Sequence, residues 1–145
     1  MADTRVQSEV EDWVRREWMA TTLGQRFSKE RVRLRSGGVF EFDAVSNDFQ
    51  IVATISTSSG NTSSGKRGVG KFMKIRSDMY FLLLVPARRR IVILTEADMH
   101  QACCAEKDGG RVPEEIEFML AEIPADLRNR LETAKQIASE EVRPR

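Results

Sequence analysis

The chain has 145 residues, of which 41% are hydrophobic and 31% are charged, a composition typical of one globular domain. The longest apolar run, Met79 to Val85, is too short to cross a membrane. The polar, acidic N-terminus also lacks the pattern of a signal peptide, so we expect a cytoplasmic protein. A net charge of +1 does not indicate a dedicated, strongly electropositive nucleic-acid binder, so any such role must depend on local patches. The two cysteines, Cys103 and Cys104, are adjacent, which excludes an ordinary disulfide framework and favours reduced thiols.

The first predicted element is an amphipathic helix. Val6, Val10, Trp13 and Val14 recur at helical spacing, with charged residues elsewhere on the wheel. This pattern predicts a helix that ends near Gly24.

A strand and a tight turn follow that helix. Residues 31–35 alternate between basic and apolar types, so Val32 and Leu34 are expected to face inward. The outward-facing residues are Arg31, Arg33 and Arg35. The sequence Ser36-Gly37-Gly38 predicts the turn into the next strand.

Two further alternating runs, residues 39–45 and 50–56, flank an Asn47-Asp48 turn and predict a β-hairpin. In the first strand one face is expected to carry Val39, Glu41, Asp43 and Val45, and the other Phe40, Phe42 and Ala44. In the second strand Val52, Thr54 and Ser56 share a face, opposite Ile51, Ala53 and Ile55. Two carboxylates on a half-buried strand are costly unless they are paired, hydrogen-bonded or bound to a cation. The hairpin is therefore the most chemically distinctive part of the chain.

The middle of the chain predicts a loop, a helix and two strands. The Ser, Thr, Gly and Asn residues at 56–65 are typical of a loop. A helical pattern then runs from Lys66 to about Ser77 or Asp78. The apolar runs at residues 80–85 and 90–94 are each typical of a strand buried on both faces.

The remaining residues predict a helix, an edge strand and a last helix. Thr95 and Asp98 resemble a capping box for a helix that ends by Gly109-Gly110. Residues 115–123 alternate as in an edge strand, although their types also suit a helix. Pro124 opens a helix whose thin apolar stripe is expected to dock on the sheet or on another subunit. The stripe consists of Leu127, Leu131, Ala134 and Ala138. The chain is thus read as one domain, with a core at 6–107 and a C-terminal strand and helix within 113–145.

This order of elements resembles the PD-(D/E)XK nuclease superfamily, which has the restriction-endonuclease-like fold. The resemblance spans about residues 6–95: a helix with a glutamate, the strand Phe40-Glu41-Phe42-Asp43, the following strand, and a lysine-bearing helix leading to an apolar strand. It implies an α/β domain with a mixed central sheet flanked by helices. In that superfamily an acidic residue late in the second strand and a Glu-x-Lys or Asp-x-Lys on the third bind a divalent metal that activates water. Asp43 occupies the first of these positions.

The second motif position departs from the superfamily. Thr54 stands where the acidic residue belongs, and Ser56 stands where the lysine belongs. Two hydroxyls do not replace an anionic ligand and a cation, because the metal loses charge compensation and the water loses its activator. An active site with Mg²⁺ or Mn²⁺ on Asp43 would need migrated partners. The candidates are Glu41 or a glutamate of the first helix, and Lys66, Lys71 or Lys74 of the second helix.

Residues 60–66 match the Gly-x-x-x-x-Gly-Lys part of a phosphate-binding P-loop. The next position should be a Ser or Thr that holds magnesium, and it is Arg67. The preceding strand also belongs to an antiparallel hairpin, so a plain Ser/Gly loop is the favoured interpretation. Such a loop can still hold a nucleic-acid phosphate at the start of a helix.

Two basic stripes favour nucleic-acid binding, since cationic side chains neutralise phosphates and release counterions. The stripes are Arg31, Arg33 and Arg35 in the first strand, and Lys66, Arg67, Lys71 and Lys74 in the second helix. Arg88-Arg89-Arg90 forms a third basic segment. The alternative for all three is a solvated face balanced by nearby carboxylates.

His100 lies close to Cys103 and Cys104, which raises the question of a metal site. The chain has one histidine and no second cysteine pair to complete such a site. A partly buried helix face is therefore the favoured interpretation.

The resemblance, together with the departure at Thr54 and Ser56, implies a catalytically impaired nuclease-like domain that is retained for contact with DNA or RNA, or for assembly. The first alternative is an active metal-dependent nuclease that uses Asp43 with migrated partners. The second is a protein-interaction module without a nucleic-acid role, which forms a homodimer through its C-terminal helix.

Overall fold

A computed structural model describes residues 4–60 and 68–142 of the chain. It is an α/β fold in which helices cover a five-stranded sheet. The strands are β1 (Phe27–Arg33), β2 (Val39–Ser46), β3 (Ile51–Ser56), β4 (Arg89–Leu94) and β5 (Ile116–Leu120). The helices are α1 (Arg5–Trp13), α2 (Met19–Leu23), α3 (Val69–Leu83), α4 (Ala97–Asp108) and α5 (Ala125–Val142). In the two described segments we find no helix with the length and apolar character that a membrane crossing requires.

The N-terminal helix is interrupted by a π-helical turn, Val14–Trp18, between α1 and α2. At the end of this turn the Met19 backbone N–H donates to the Val14 carbonyl, a bond across five residues. Gly24 ends the helix with a φ of 71°, which favours glycine because a side chain would be strained there. The predicted end of the helix near Gly24 is confirmed.

The sheet has the order β1-β2-β3-β4-β5, with β1, β2 and β3 antiparallel and β3, β4 and β5 parallel. The antiparallel trio and the position of β5 at the edge are both confirmed. The predicted strand at residues 80–85 is wrong, because α3 continues to Leu83. Tyr80 is exposed and Leu82 is buried, as expected for a helix with one face on the sheet. A parallel pair such as β3 and β4 needs a crossover, and α3 provides it.

Two hydrophobic cores cover the two faces of the sheet. On one face Phe42, Val52 and Val92 pack with α3 and α4, through residues such as Ile75 and Met99. On the other face Ala53, Ile55 and Ile93 pack with the N-terminal helix and α5. Leu127 and Leu131 of α5 are buried in this second core. The last helix therefore docks on the sheet, which is the first of the two alternatives left open by its stripe.

The pairing of β1 with β2 contains a β-bulge. Ser28 pairs with Val45 and Glu30 with Phe42, so Lys29 alone faces both Asp43 and Ala44. The bulge reverses the alternation of β2, and Val45 packs in the same core as Phe42. The predicted set of faces is therefore wrong beyond Asp43, because an inserted residue moves every later side chain to the other face.

The ends of two elements also differ from the sequence prediction. The first strand begins at Phe27 and ends at Arg33, rather than covering residues 31–35. The helix α4 forms as predicted and ends before Gly109, but its capping box does not form. The Thr95 hydroxyl donates to the Glu96 carboxylate at 3.0 Å, and Asp98 Oδ1 accepts the Met99 backbone N–H at 2.8 Å.

Candidate functional site

The candidate site lies where β2 and β3 part, beside the bulge; we call it the fork. The ladder between the two strands consists of the pairs Ala44–Ala53 and Val45–Val52. Next to the Ala44–Ala53 pair, a side chain replaces the backbone as hydrogen-bond acceptor: Asp43 Oδ2 accepts the Ile55 backbone N–H at 2.8 Å. One carboxylate oxygen of Asp43 therefore completes the strand pairing.

The N-terminal helix closes one side of the fork through its π-helical turn. Arg15 Nη1 donates to the Asp43 carbonyl at 3.0 Å, and Arg15 Nη2 donates to Asp12 Oδ1 at 3.1 Å. Burial raises the pKa of the nearby Glu11 carboxyl, and the negative charge of Asp43 raises it further, while Lys29, Arg15 and Lys74 oppose the rise. Single π-helical turns occur frequently at functional sites, and this one lies at the fork.

The helix α3 closes the other side. Asp78 is 6% exposed and accepts a 2.6 Å hydrogen bond from Lys74 Nζ, one turn earlier. Burial raises the pKa of Asp78, as does the charge of Asp43, and Lys74 opposes this rise. Asp43 thus lies within electrostatic reach of one carboxylate on each neighbouring helix.

The two hydroxyl residues of β3 are present at the fork but provide no charge. Thr54 is 3% exposed, and its Oγ1 has no hydrogen-bond partner among the described residues. Ser56 is half-buried, and its Oγ accepts the Ser58 backbone N–H at 3.3 Å. A buried hydroxyl without a hydrogen-bond partner is unusual.

The fork does not fit a Mg²⁺ or Mn²⁺ site. One oxygen of Asp43 is committed to the backbone of Ile55, and Lys74 is neutralised by Asp78. Within residues 4–60 and 68–142 no group of three His, Cys, Asp or Glu residues could hold a metal ion. Hard divalent cations require several oxygen ligands of fixed geometry, and the described residues of the fork do not provide such a set.

The other predicted site residues are scattered. Glu41 is exposed and pairs with Lys29 at 3.6 Å, and Lys71 is exposed near the start of α3. Lys74, predicted as a nucleic-acid contact, pairs with Asp78 at 2.6 Å, and its side chain is exposed. Lys66, Arg67 and the P-loop-like residues 61–67 lie outside the described residues.

Two residues of the fork, Arg15 and Asp78, were missed by the sequence analysis. Asp78 could have been found, because it is the one carboxylate of α3, a helix that is otherwise apolar or basic. No signal in the sequence indicates that the Arg15 side chain contacts the fork, because its orientation toward Asp43 depends on the π-helical turn.

Of the two cysteines, Cys104 contacts His100 and Cys103 is buried. Cys104 Sγ lies 3.5 Å from His100 Nε2 on α4. Burial raises the pKa of the neighbouring Cys103 thiol to about 11, with smaller effects from Cys104 and Glu106. Cys103 is therefore protonated at neutral pH and inert as a thiolate nucleophile or ligand.

Comparison with protein-family models, with curated proteins and with solved structures gave no match. The structure places the chain in the α/β class, with a five-stranded mixed sheet.

The electrostatic role of Asp43 can be tested with the isosteric change Asp43→Asn. The asparagine carbonyl can still accept the Ile55 N–H, so we expect the fold to persist. Removing the negative charge should lower the pKa of Glu11 and of Asp78, because Asp43 raises both. Carboxyl ¹³C chemical shifts followed over a pH series give both values. Unchanged titration of Glu11 would show that the two carboxylates do not interact.

Proposed function

We propose that this chain is a restriction-endonuclease-like domain that has lost metal-dependent catalysis and binds nucleic acid. The observation that carries the proposal is the place of Asp43. It follows an N-terminal helix, lies at a bulge in the second strand of an antiparallel trio, and faces the third strand, which leads through a helix to a parallel fourth strand. The superfamily resemblance implies this order and this position of the acidic residue.

The loss of catalysis is supported by the chemistry of the fork. Thr54 and Ser56 supply hydroxyls where an acid and a lysine are expected, and Lys74 of α3 pairs with Asp78 at 2.6 Å. General acid–base and metal chemistry both need charged groups that are free to interact with the substrate. The fork therefore favours a binding role.

The basic row of β1 supports nucleic acid as the ligand. Val32 packs into the core beside α3, so the alternate residues Lys29, Arg31 and Arg33 face the other side of the sheet, where all three are exposed. Within the described segments neither Arg31 nor Arg33 makes an ion pair. Lys29 faces the bulge, so the row begins at the fork and extends along β1. Cations spaced along a strand can contact successive phosphates.

The double change Arg31→Ala/Arg33→Ala is expected to weaken binding to DNA or RNA oligonucleotides. Each lost phosphate contact removes about one unit from the slope of log affinity against log salt, so the slope should fall by about two. The measurement is fluorescence anisotropy across a salt series, with EDTA present to suppress cleavage.

The matched control is Arg111→Ala/Arg130→Ala, which removes the same charge from other surfaces of the fold. Equal losses in both double variants would mean that net charge, not the β1 row, drives binding. Absence of binding by the unaltered protein at low salt would overturn the proposal. Cleavage with Mg²⁺ or Mn²⁺ that disappears in Asp43→Ala would instead establish the active-nuclease alternative.

A further inference from the structure

The two outer strands of the sheet, β1 and β5, differ in how their free edges are protected. The edge formed by β1 has a bulge and exposed charged residues such as Lys29, Arg31 and Arg33, features that oppose pairing with a further strand. The β5 sequence is apolar except for Glu117, which pairs with Arg89 of β4 at 2.8 Å. Within β5 neither a bulge nor a proline interrupts the strand, so its edge can accept another strand.

The backbone of β5 directs hydrogen-bonding groups out of the sheet at alternate residues. The Ala121 N–H donates to the Leu94 carbonyl of β4 at 2.8 Å, and the N–H and C=O groups of a strand alternate between its two edges. The residues whose backbone groups face the free edge are therefore Ile116, Phe118 and Leu120. Ile116 uses both groups, since its N–H donates to the Pro113 carbonyl and its carbonyl accepts Lys107 Nζ. The outward groups of the other two residues have no hydrogen-bond partner within the described segments.

Exposed carboxylates lie at both ends of this edge. Glu114 and Glu115 directly precede β5, and Glu122 follows it. None of the three forms an ion pair with another residue that the structure describes. Their negative charge is therefore available to a partner that pairs with β5, and it favours a basic one.

An open cavity of about 500 Å³ adjoins the end of β5. It lies at the carboxyl ends of the parallel strands β4 and β5, the position where open α/β sheets bind their ligands. The carboxylates in its lining belong to Glu96, Asp98, Glu122 and Glu132, whereas the lining cation, Arg128, already pairs with Glu96. The cavity therefore suits a basic side chain of the segment that pairs with β5.

Two other occupants of the edge are disfavoured by these carboxylates. An antiparallel second copy aligned on Phe118 would set Glu114 opposite Glu122, and like charges directly opposite each other destabilise a strand pair. A nucleic acid would bring its phosphates toward the same negative charges. The edge therefore suits a strand of opposite charge from another protein.

We propose that the free edge of β5 binds an extended segment of another protein that carries basic residues at its ends. The segment adds a strand to the sheet through the open backbone groups of Phe118 and Leu120. Its basic residues face Glu114, Glu115 and Glu122. The strands β1 and β5 are opposite edges of the sheet, so this proposal and nucleic-acid binding by the β1 row stand or fall separately.

The probe is a synthetic peptide of alternating valine and threonine residues with lysines at both ends. The first control peptide has the same sequence with methyl groups on the backbone nitrogens of its valines and threonines, which removes the donors for strand pairing and keeps the charge. The second has glutamates in place of the lysines. We expect saturable binding of the probe alone, measured by calorimetry. The amides of Phe118 and Leu120 should change in chemical shift and exchange hydrogen more slowly, because they become hydrogen-bonded.

The charge reversal Glu114→Lys/Glu122→Lys should weaken binding of the probe about tenfold or more, because it sets like charges against the lysines. The matched control is Glu17→Lys/Glu140→Lys, which reverses two exposed carboxylates in the N-terminal helix and in α5. It should leave binding nearly unchanged at physiological ionic strength, at which distant charges are screened.

Equal affinity for the methylated peptide would overturn the proposal, because it would show attraction by charge without strand pairing. Equal weakening by the two double variants would also overturn it. Protection of Phe118 and Leu120 that rises with protein concentration in the absence of peptide, together with dimerisation in sedimentation, would assign the edge to a second copy instead. A shift of the same amides caused by a duplex oligonucleotide and not by the probe would overturn the proposal as well. The amide shifts are read in the unaltered protein, so the test does not depend on the variants remaining folded.

Discussion

Replacement of Glu96 by glutamine is expected to lower the free energy of unfolding at neutral pH by about 3 kcal/mol, because it breaks a buried ion-pair network and leaves its cations uncompensated. Glu96 lies between β4 and α4 with its side chain 10% exposed. Its carboxylate pairs with Lys135 at 2.7 Å and with Arg128, and it accepts the Thr95 hydroxyl. Arg128 also donates to the Thr95 carbonyl at 2.6 Å. The network therefore ties α5 to the end of β4.

The effect of Glu96→Gln should depend on pH in a defined direction. Burial acts to raise the pKa of Glu96, but the hydrogen bonds and charges of Lys135 and Arg128 outweigh it, and the pKa is lowered. A carboxyl with a lowered pKa stabilises the fold above its unfolded pKa, and this contribution is lost as the pH falls through the folded pKa. The two proteins should therefore differ most at neutral pH and converge in acid, below the ordinary range of a glutamate.

Urea unfolding at a series of pH values measures this convergence. The control is Glu41→Gln, which removes an exposed carboxylate from its surface pair with Lys29 and should change stability by about 1 kcal/mol or less. A difference between Glu96→Gln and the unaltered protein that stays constant from neutral to acid pH would contradict the assignment of the charged network.

The sequence was most informative where a single periodicity determines the structure. The spacing of Val6, Val10 and Val14 predicts the first helix, and alternation predicts β2 and β3. The run at residues 80–85 was misassigned because unbroken apolarity fits both a buried strand and a helix end. The need for a crossover between the parallel strands β3 and β4 decides in favour of the helix, and that pairing is not visible in a local pattern.

The candidate site was predictable in part. Asp43 could be found from its place in the hairpin, and Thr54 and Ser56 could be found as uncharged residues of the next strand. The bulge could not be found, because the residues at Asp43 and Ala44 alternate as in a regular strand. The sequence does not show which lysine of α3 pairs with a carboxylate at the fork. Among the described residues Lys74 does so and Lys71 does not, because tertiary packing determines how α3 is rotated over the sheet.

A buried arginine of β4 contacts the C-terminal end of α3. Arg90 of β4 is buried, and its Nε donates to the Leu82 carbonyl at 2.9 Å, while its Nη2 donates to the Val85 carbonyl at 2.7 Å. Cations are favourable at a helix C-terminus, where the last carbonyls lack partners within the helix. Arg90 therefore ties β4 to the C-terminal end of α3, the helix that carries Lys74 and Asp78, and we expect it to help position that helix.

The change Arg90→Met is expected to lower the free energy of unfolding by about 2 to 3 kcal/mol, since it removes two charge-assisted hydrogen bonds while keeping most of the apolar side-chain volume. The matched control is Arg89→Met at the preceding position. Arg89 forms a two-point ion pair with Glu117 on the more exposed side of the strand, so its loss should cost about 1 kcal/mol or less. Guanidinium unfolding measures both changes.

A second measurement separates a general loss of stability from a loosened α3. Amide hydrogen exchange in the Arg90→Met variant should accelerate first in the last turn of α3, around Leu82 and Leu83, at denaturant concentrations where β2 and β3 remain protected. The pKa of Glu11 should rise further if α3 shifts, because Lys74 is one of the cations that opposes the rise. Equal destabilisation by Arg90→Met and Arg89→Met, with uniform exchange across the sheet and α3, would show that Arg90 does not position the helix. In that case the geometry of the fork would depend on the apolar contacts of Phe72, Ile75 and Leu82 with the sheet.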